Sequence, residues 1–137
     1  MAKQRIKEEV EIAVPIGLLW EKMLIVPVVG ILDSRRTQIL MEDMLESIQL
    51  HKAKVLILDV LGVAAVDSAV ANHIIKITKA TKLMGCECII SGISPAISET
   101  MVSLGIEIEG VETTSALSDA LELAFSRVGY HIVKKEN

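Results

Sequence analysis

Aromatic side chains are nearly missing from this chain: Trp20, Phe125 and Tyr130 are the whole set in 137 residues. A core must then be assembled from Val, Ile, Leu, Ala and Met, which suits parallel strands covered by helices. Basic clusters are missing too. The formal charge is -4, and apart from the terminal Lys134 and Lys135 no run of Lys or Arg could face phosphate. With neither that nor aromatics to stack on bases, nucleic-acid binding is excluded. Cysteine is confined to Cys86 and Cys88. A strand would point both to one face, but one intervening residue is not a usual zinc or redox spacing, so they read as small hydrophobes in a reducing compartment. The longest apolar run, Val55 to Val66, is too short for a bilayer and contains Asp59. The opening Met1 to Glu11 is charged, unlike a secretory signal. A cytoplasmic protein without membrane contact is expected.

The apolar share is nonetheless 51%, enough for a buried core in a chain of one domain's length. Residues 1–11 read as a charged lead or linker, 12–130 as the domain and 131–137 as a polar tail. Ile16 to Leu19 and Met23 to Val29 read as two strands of a hairpin turning around Trp20-Glu21-Lys22. With Asp33 or Ser34 as N-cap, Thr37, Leu40, Met41, Met44, Leu45 and Ile48 recur at helical spacing to about Gln49. Lys54 to Val60 (KVLILDV) is the continuous apolar run of a strand buried on both faces. After the loop Leu61 to Val66, an amphipathic helix begins at Asp67-Ser68 and stops at Gly85. Glu87 to Ser91 is a fourth strand. Ser94-Pro95 is an N-cap and first-turn pair for a helix that closes at Gly105. A weak strand is placed at Ile106 to Val111 and a last helix from about Ser115. The expected architecture is α/β: a single four- to five-stranded, mostly parallel sheet with an N-terminal hairpin, flanked by about four helices.

Chemistry is sparse. The glycines stand singly at element ends, and neither GxGxxG nor GxxxxGK[ST] occurs, so no nucleotide cradle of those types is present. No His, Cys or acidic set has metal-ligand spacing. His73 lies more than a helical turn from Ser68, too far for a nucleophile–base pair, and reads as structural or interfacial. Asp33, Asp59 and Asp67 are candidates to converge at the carboxyl ends of the strands. The early acidic pair and late lysine of a phospho-accepting receiver are absent, however. No catalytic residue, metal or cofactor is assigned, and an enzyme is not expected. What remains is the loop-to-helix stretch DVLGVAAVDSAVANHII (Asp59 to Ile75). Ser68 opens a helix there directly after Asp67. One of the pair acts as N-cap, worth about 1 kcal/mol. A phosphate on Ser68 would be tolerated by the free N–H groups of the helix N-terminus and opposed by Asp67, so its charge would be presented to a docked partner.

Three stretches, PVVGILDSRR (Pro27 to Arg36), LILDVLGVAAVDSAVANHII (Leu56 to Ile75) and SGISPAISETMVSLGI (Ser91 to Ile106), carry a resemblance to STAS domains. Within that family the chain resembles the C-terminal domain of R-type stressosome co-antagonists, over about Val14 to Gly129. The resemblance implies a helix-flanked sheet and a phospho-acceptor matching Ser68. It implies a second acceptor matching Thr100, which lies about 60° from the centre of the Ile97–Met101–Leu104 stripe. The partner interface near the acceptor would include Asp67, Asn72 and His73. Implied partners are a switch-type serine/threonine kinase, an S-type STAS protein and further copies of the chain. R-type members usually carry threonine at the first acceptor and an N-terminal sensor domain. This chain has Ser68, as simple antagonists do, and the short Met1–Glu11 lead. Two other readings remain open at this point. One is a stand-alone anti-sigma-factor antagonist. The other is a small-molecule or nucleotide-binding domain with a pocket near Asp33, Asp59 and Ser91.

Overall fold

The computed structural model describes residues 14–64, 67–105 and 111–136. Five strands and four helices follow one another as β1 (Gly17–Trp20), β2 (Met23–Gly30), α1 (Ser34–His51), β3 (Val55–Val63), α2 (Ser68–Leu83), β4 (Glu87–Ser91), α3 (Pro95–Ser103), β5 (Glu112–Thr114) and α4 (Leu117–Arg127). They form one sheet in the order β1-β2-β3-β4-β5. β1 and β2 are antiparallel around Glu21-Lys22, and every later pairing is parallel.

Strand periodicity of two divides the apolar residues between two faces. Leu24, Val26 and Val28 of β2, Leu56, Leu58 and Val60 of β3, and Cys88 and Ile90 of β4 meet the buried stripes of α1, α2 and α3. Met23, Val55, Ile57 and Ile89, on the opposite face, meet Ala120 and Ala124 of α4. Three helices on one face follow from the strand order. When parallel strands are added monotonically, right-handed crossovers bring each connecting helix down on the same side.

Two expected boundaries move. β3 runs on to Val63, because Gly62 and Val63 pair with Val29 and Gly30 after a register shift. Apolar content alone could not distinguish that extension from a loop. The fifth strand is the polar segment Glu112–Thr114, paired with Ile89 to Ser91. Most of the expected strand at Ile106 to Val111 lies outside the described residues. A strand of Glu-Thr-Thr at a sheet edge has no hydrophobic alternation to betray it.

The three aromatics, scattered in sequence, form one cluster. Trp20 lies 5.6 Å from Phe125 and 6.0 Å from Tyr130 between ring centroids, and Phe125 lies 6.3 Å from Tyr130, all edge-on. They tie the β1 edge to α4 and the segment after it. Arg127 bridges Glu87 of β4 (2.8 Å) and Glu112 of β5 (3.4 Å). Among the described residues no helix is long and apolar enough to cross a membrane.

Burial ranks these interactions. Leu56→Ala, at a fully buried position of the central strand β3, should cost about 2–5 kcal/mol in a urea titration. Arg127→Ala should cost about 1 kcal/mol or less, because its ion pairs are solvent-exposed.

Candidate functional site: the carboxyl ends of the strands

Parallel strands end together, so the connections leaving β2, β3 and β4 open on one rim. Each of the three following helices begins there with a side-chain cap. Asp33 Oδ1 accepts the Arg36 N–H (2.8 Å), Asp67 Oδ1 accepts the Val70 N–H (3.0 Å), and Ser94 Oγ accepts the Ile97 N–H (3.2 Å). Where the sequence left Asp33 or Ser34, and Asp67 or Ser68, as alternatives, the aspartate caps in both cases.

That division of labour matters most at α2. Asp67 takes the orphan N–H, leaving Ser68 exposed at the first position of the helix. Among the described residues the Ser68 hydroxyl makes no hydrogen bond. Asn72 is exposed one turn further on. His73 is half-buried and turns toward α1, with Nε2 3.5 Å from Ser34 Oγ and not toward Ser68. Thr100 is half-buried in α3, and its hydroxyl donates to the Ala96 carbonyl at 2.9 Å.

The three aspartates share the rim but have separate engagements. Asp33 and Asp67 are caps. Asp59 Oδ1 accepts from Ser91 Oγ (3.2 Å) across β3 and β4, and from the Leu61 N–H (3.3 Å). Among the described residues no group of three His, Cys, Asp or Glu could hold a metal ion. The cleft of about 360 Å³ in this region lies between α3 and β5 and is lined by Ile93, Ser98, Met101, Val102, Thr113, Thr114 and Ser115. Asp33, Asp59 and Ser91, the residues of the expected pocket, are not among them.

Apolar side chains crowd the same rim. Val29, Ile31 and Leu61 are all well exposed, and Ala64 is held beside them by its N–H on the Gly30 carbonyl (2.8 Å). Arg36 reaches back to donate to the carbonyls of Val29 and Ile31, bracing the β2–α1 turn. Sequence reasoning missed that brace. It also missed Gly92. With φ +77°, a Cβ there would stand 2.7 Å from Leu61 and 2.8 Å from Asp59 Oδ1.

Cys86 and Cys88 lie away from this rim, at the opposite end of β4. Both are free and buried, and desolvation by burial pushes both thiols up to about 12. A thiolate is the reactive and ligating form, so neither cysteine is suited to redox or metal chemistry here.

A family model for the STAS domain matches residues 19–120. The chain belongs to the STAS-domain family. The RsbT co-antagonist protein RsbRA of Bacillus subtilis (strain 168) is 34% identical over 123 residues, which is 90% of this STAS chain and 45% of that protein. RsbRD of the same organism is 40% identical over 111 residues, 81% of this chain and 40% of that protein. The STAS chain therefore spans less than half the length of these relatives. Among solved structures, a variant of RsbS from Moorella thermoacetica superposes with a TM-score of 0.65 at 27% identity, covering 81% of this chain and 97% of that one.

Two outcomes are expected at the rim and the core. Gly92→Ala should lower the free energy of unfolding by about 2 kcal/mol or more, read by urea titration, since strain at positive φ adds to the clash. Native Cys86 and Cys88 should resist iodoacetamide at pH 7–8 and react fully in urea. The folded state holds both thiols protonated. Their contribution to stability is therefore intact below about pH 9 and declines as pH rises toward about 12.

Proposed function

We propose that this STAS domain is a phosphorylation-switched interaction module of a bacterial stress-signalling assembly, with Ser68 as its primary phospho-acceptor. It binds a switch-type serine/threonine kinase and an S-type STAS protein, and it associates with copies of itself. The observation that carries this is the pairing at the start of α2: Asp67 caps the helix, so the adjoining Ser68 hydroxyl is exposed and unengaged. A modifying enzyme can reach it, and among the described residues no hydrogen bond is lost when it is modified. The names of the RsbT co-antagonist relatives and of RsbS support the choice of assembly.

The mechanism is electrostatic. Phosphorylation adds about -1.5 to -2 charges. The helix N-terminus, with about half a positive charge, offsets part of this for the domain itself. Asp67, already on the N-terminal amides, competes for that stabilisation. Net negative charge is thereby projected onto a surface where Val29, Ile31 and Leu61 offer apolar contact. A partner seated on that surface meets an unsolvated dianion, and its affinity falls. Asp67, Asn72 and His73 belong to this contact surface.

Thr100 is the second acceptor, and its geometry makes it the slower one. Its hydroxyl must leave the Ala96 carbonyl and swing outward before a phosphoryl group can be transferred. The serine at the first acceptor position also favours a second reading, a stand-alone anti-sigma-factor antagonist. One-to-one capture of a kinase-like anti-sigma factor, without a larger co-assembly with an S-type protein, would select it.

Ser68→Asp should leave stability within about 0.5 kcal/mol and weaken partner binding about tenfold or more, while Ser68→Ala should bind constitutively. Binding of Ser68→Asp equal to the parent, in calorimetric titration, overturns the assignment. In time-resolved site mapping by mass spectrometry with the kinase and ATP, phosphate should appear on Ser68 before Thr100.

A further inference from the structure

α1 and α2 lie side by side on one face of the sheet, joined near the rim by the Ser34–His73 contact. Beyond the first turn, where α1 carries the exposed Arg35, their outward stripes differ in sign. On α1 the exposed line Glu42, Glu46, Leu50 runs at intervals of four. On α2 the exposed line Lys76, Lys79, Leu83 runs at intervals of three and four. α2 has three lysines and no acidic residue in its 16 positions. Both stripes end in a large apolar side chain in open solvent: Leu50 is 73% exposed and Leu83 is 89% exposed.

The two lines also match along their length. Both helices start from the carboxyl rim and run the same way. Glu42 and Lys76 are each eight residues past the first residue of their helix. Glu46 and Lys79 follow twelve and eleven past it, and Leu50 and Leu83 sixteen and fifteen past it. At a rise of about 1.5 Å per residue, each pair stays within about a residue of the same level.

We infer that this face is a two-fold interface between copies of the chain, with α1 of one protomer packed on α2 of the other. A two-fold axis parallel to the helices and just above the pair carries α1 over the partner's α2 and α2 over the partner's α1. Helix direction and level are preserved by that operation. Acidic stripe therefore faces basic stripe twice, and Leu50 faces Leu83 twice, so the contact is self-complementary and closed. Any other stacking that placed like helices together would oppose like charges. The surface lies on the outer faces of the helices and toward the ends remote from Ser68, so the phospho-acceptor rim stays open. This inference deepens the self-association named in the proposed function and rests on that part of it.

Sedimentation equilibrium of the full chain, at low and high salt, tests it. The parent should dimerise, and the dissociation constant should rise with salt. Lys76→Glu/Lys79→Glu and Glu42→Lys/Glu46→Lys should each weaken association by about tenfold or more. An equimolar mixture of the two variants should recover it, as should a single chain carrying all four substitutions. A dimer that survives either charge reversal unchanged overturns this surface and leaves self-association standing. A monomer in every variant and mixture overturns both. Neither outcome bears on Ser68, whose test reads partner binding.

Discussion

β3 is buried on both faces, with α1 to α3 packed over Leu56, Leu58 and Val60 and α4 packed over Val55 and Ile57. Every other element takes its place from that double burial. A stretch with no solvent face, such as Val55 to Leu58, needs neighbours on both edges and helices above and below, as a parallel sheet supplies. The helices must then start where the strands end. Three capped N-termini and the loops that feed them are thus forced onto one rim, and the molecule has little choice about where a switch can be built.

At that rim the same two residue types serve different ends because their surroundings differ. Asp33 and Asp67 hold backbone amides, whereas Asp59 holds Ser91 and the Leu61 amide and so secures two strands to each other. Gly92 exists to let Leu61 and Asp59 come that close. These engagements leave the Ser68 hydroxyl without a hydrogen-bond partner among the described residues, the condition under which the proposed modification would cost the fold least. A group already used for folding would cost stability each time it was modified, and Thr100 stands nearer to that condition.

The surface divides along α2. Its first turn and the neighbouring Val29, Ile31 and Leu61 form an apolar rim, where the proposed modification would add charge. Its middle and last turns carry fixed lysines beside the acidic stripe of α1. A contact based on fixed charge could persist while charge at Ser68 is altered, because Lys76 stands eight residues along the helix from Ser68, about 12 Å at 1.5 Å per residue, beyond a Debye length of about 8 Å at physiological salt.

Much of this was legible in the chain itself. The double-sided run KVLILDV, the 3.6-residue stripes after Asp33 and Asp67, and the stop at Gly85 pointed to the α/β class and the element order, and the Asp67-Ser68 helix start marked Ser68 as a candidate. Those features depend on neighbours in sequence, where periodicity and capping preferences act. Other features needed the folded chain. The sequence could not say that Asp67 and not Ser68 caps α2, because both residue types do so equally well in isolation. It could not say that Trp20, Phe125 and Tyr130 meet, that a polar Glu112–Thr114 completes the sheet, or that Arg36 braces the carbonyls of Val29 and Ile31. Nor could it say that an acidic stripe and a basic stripe lie level on one face. Each of these is decided by which distant segments the sheet brings together, and no local preference encodes that distance.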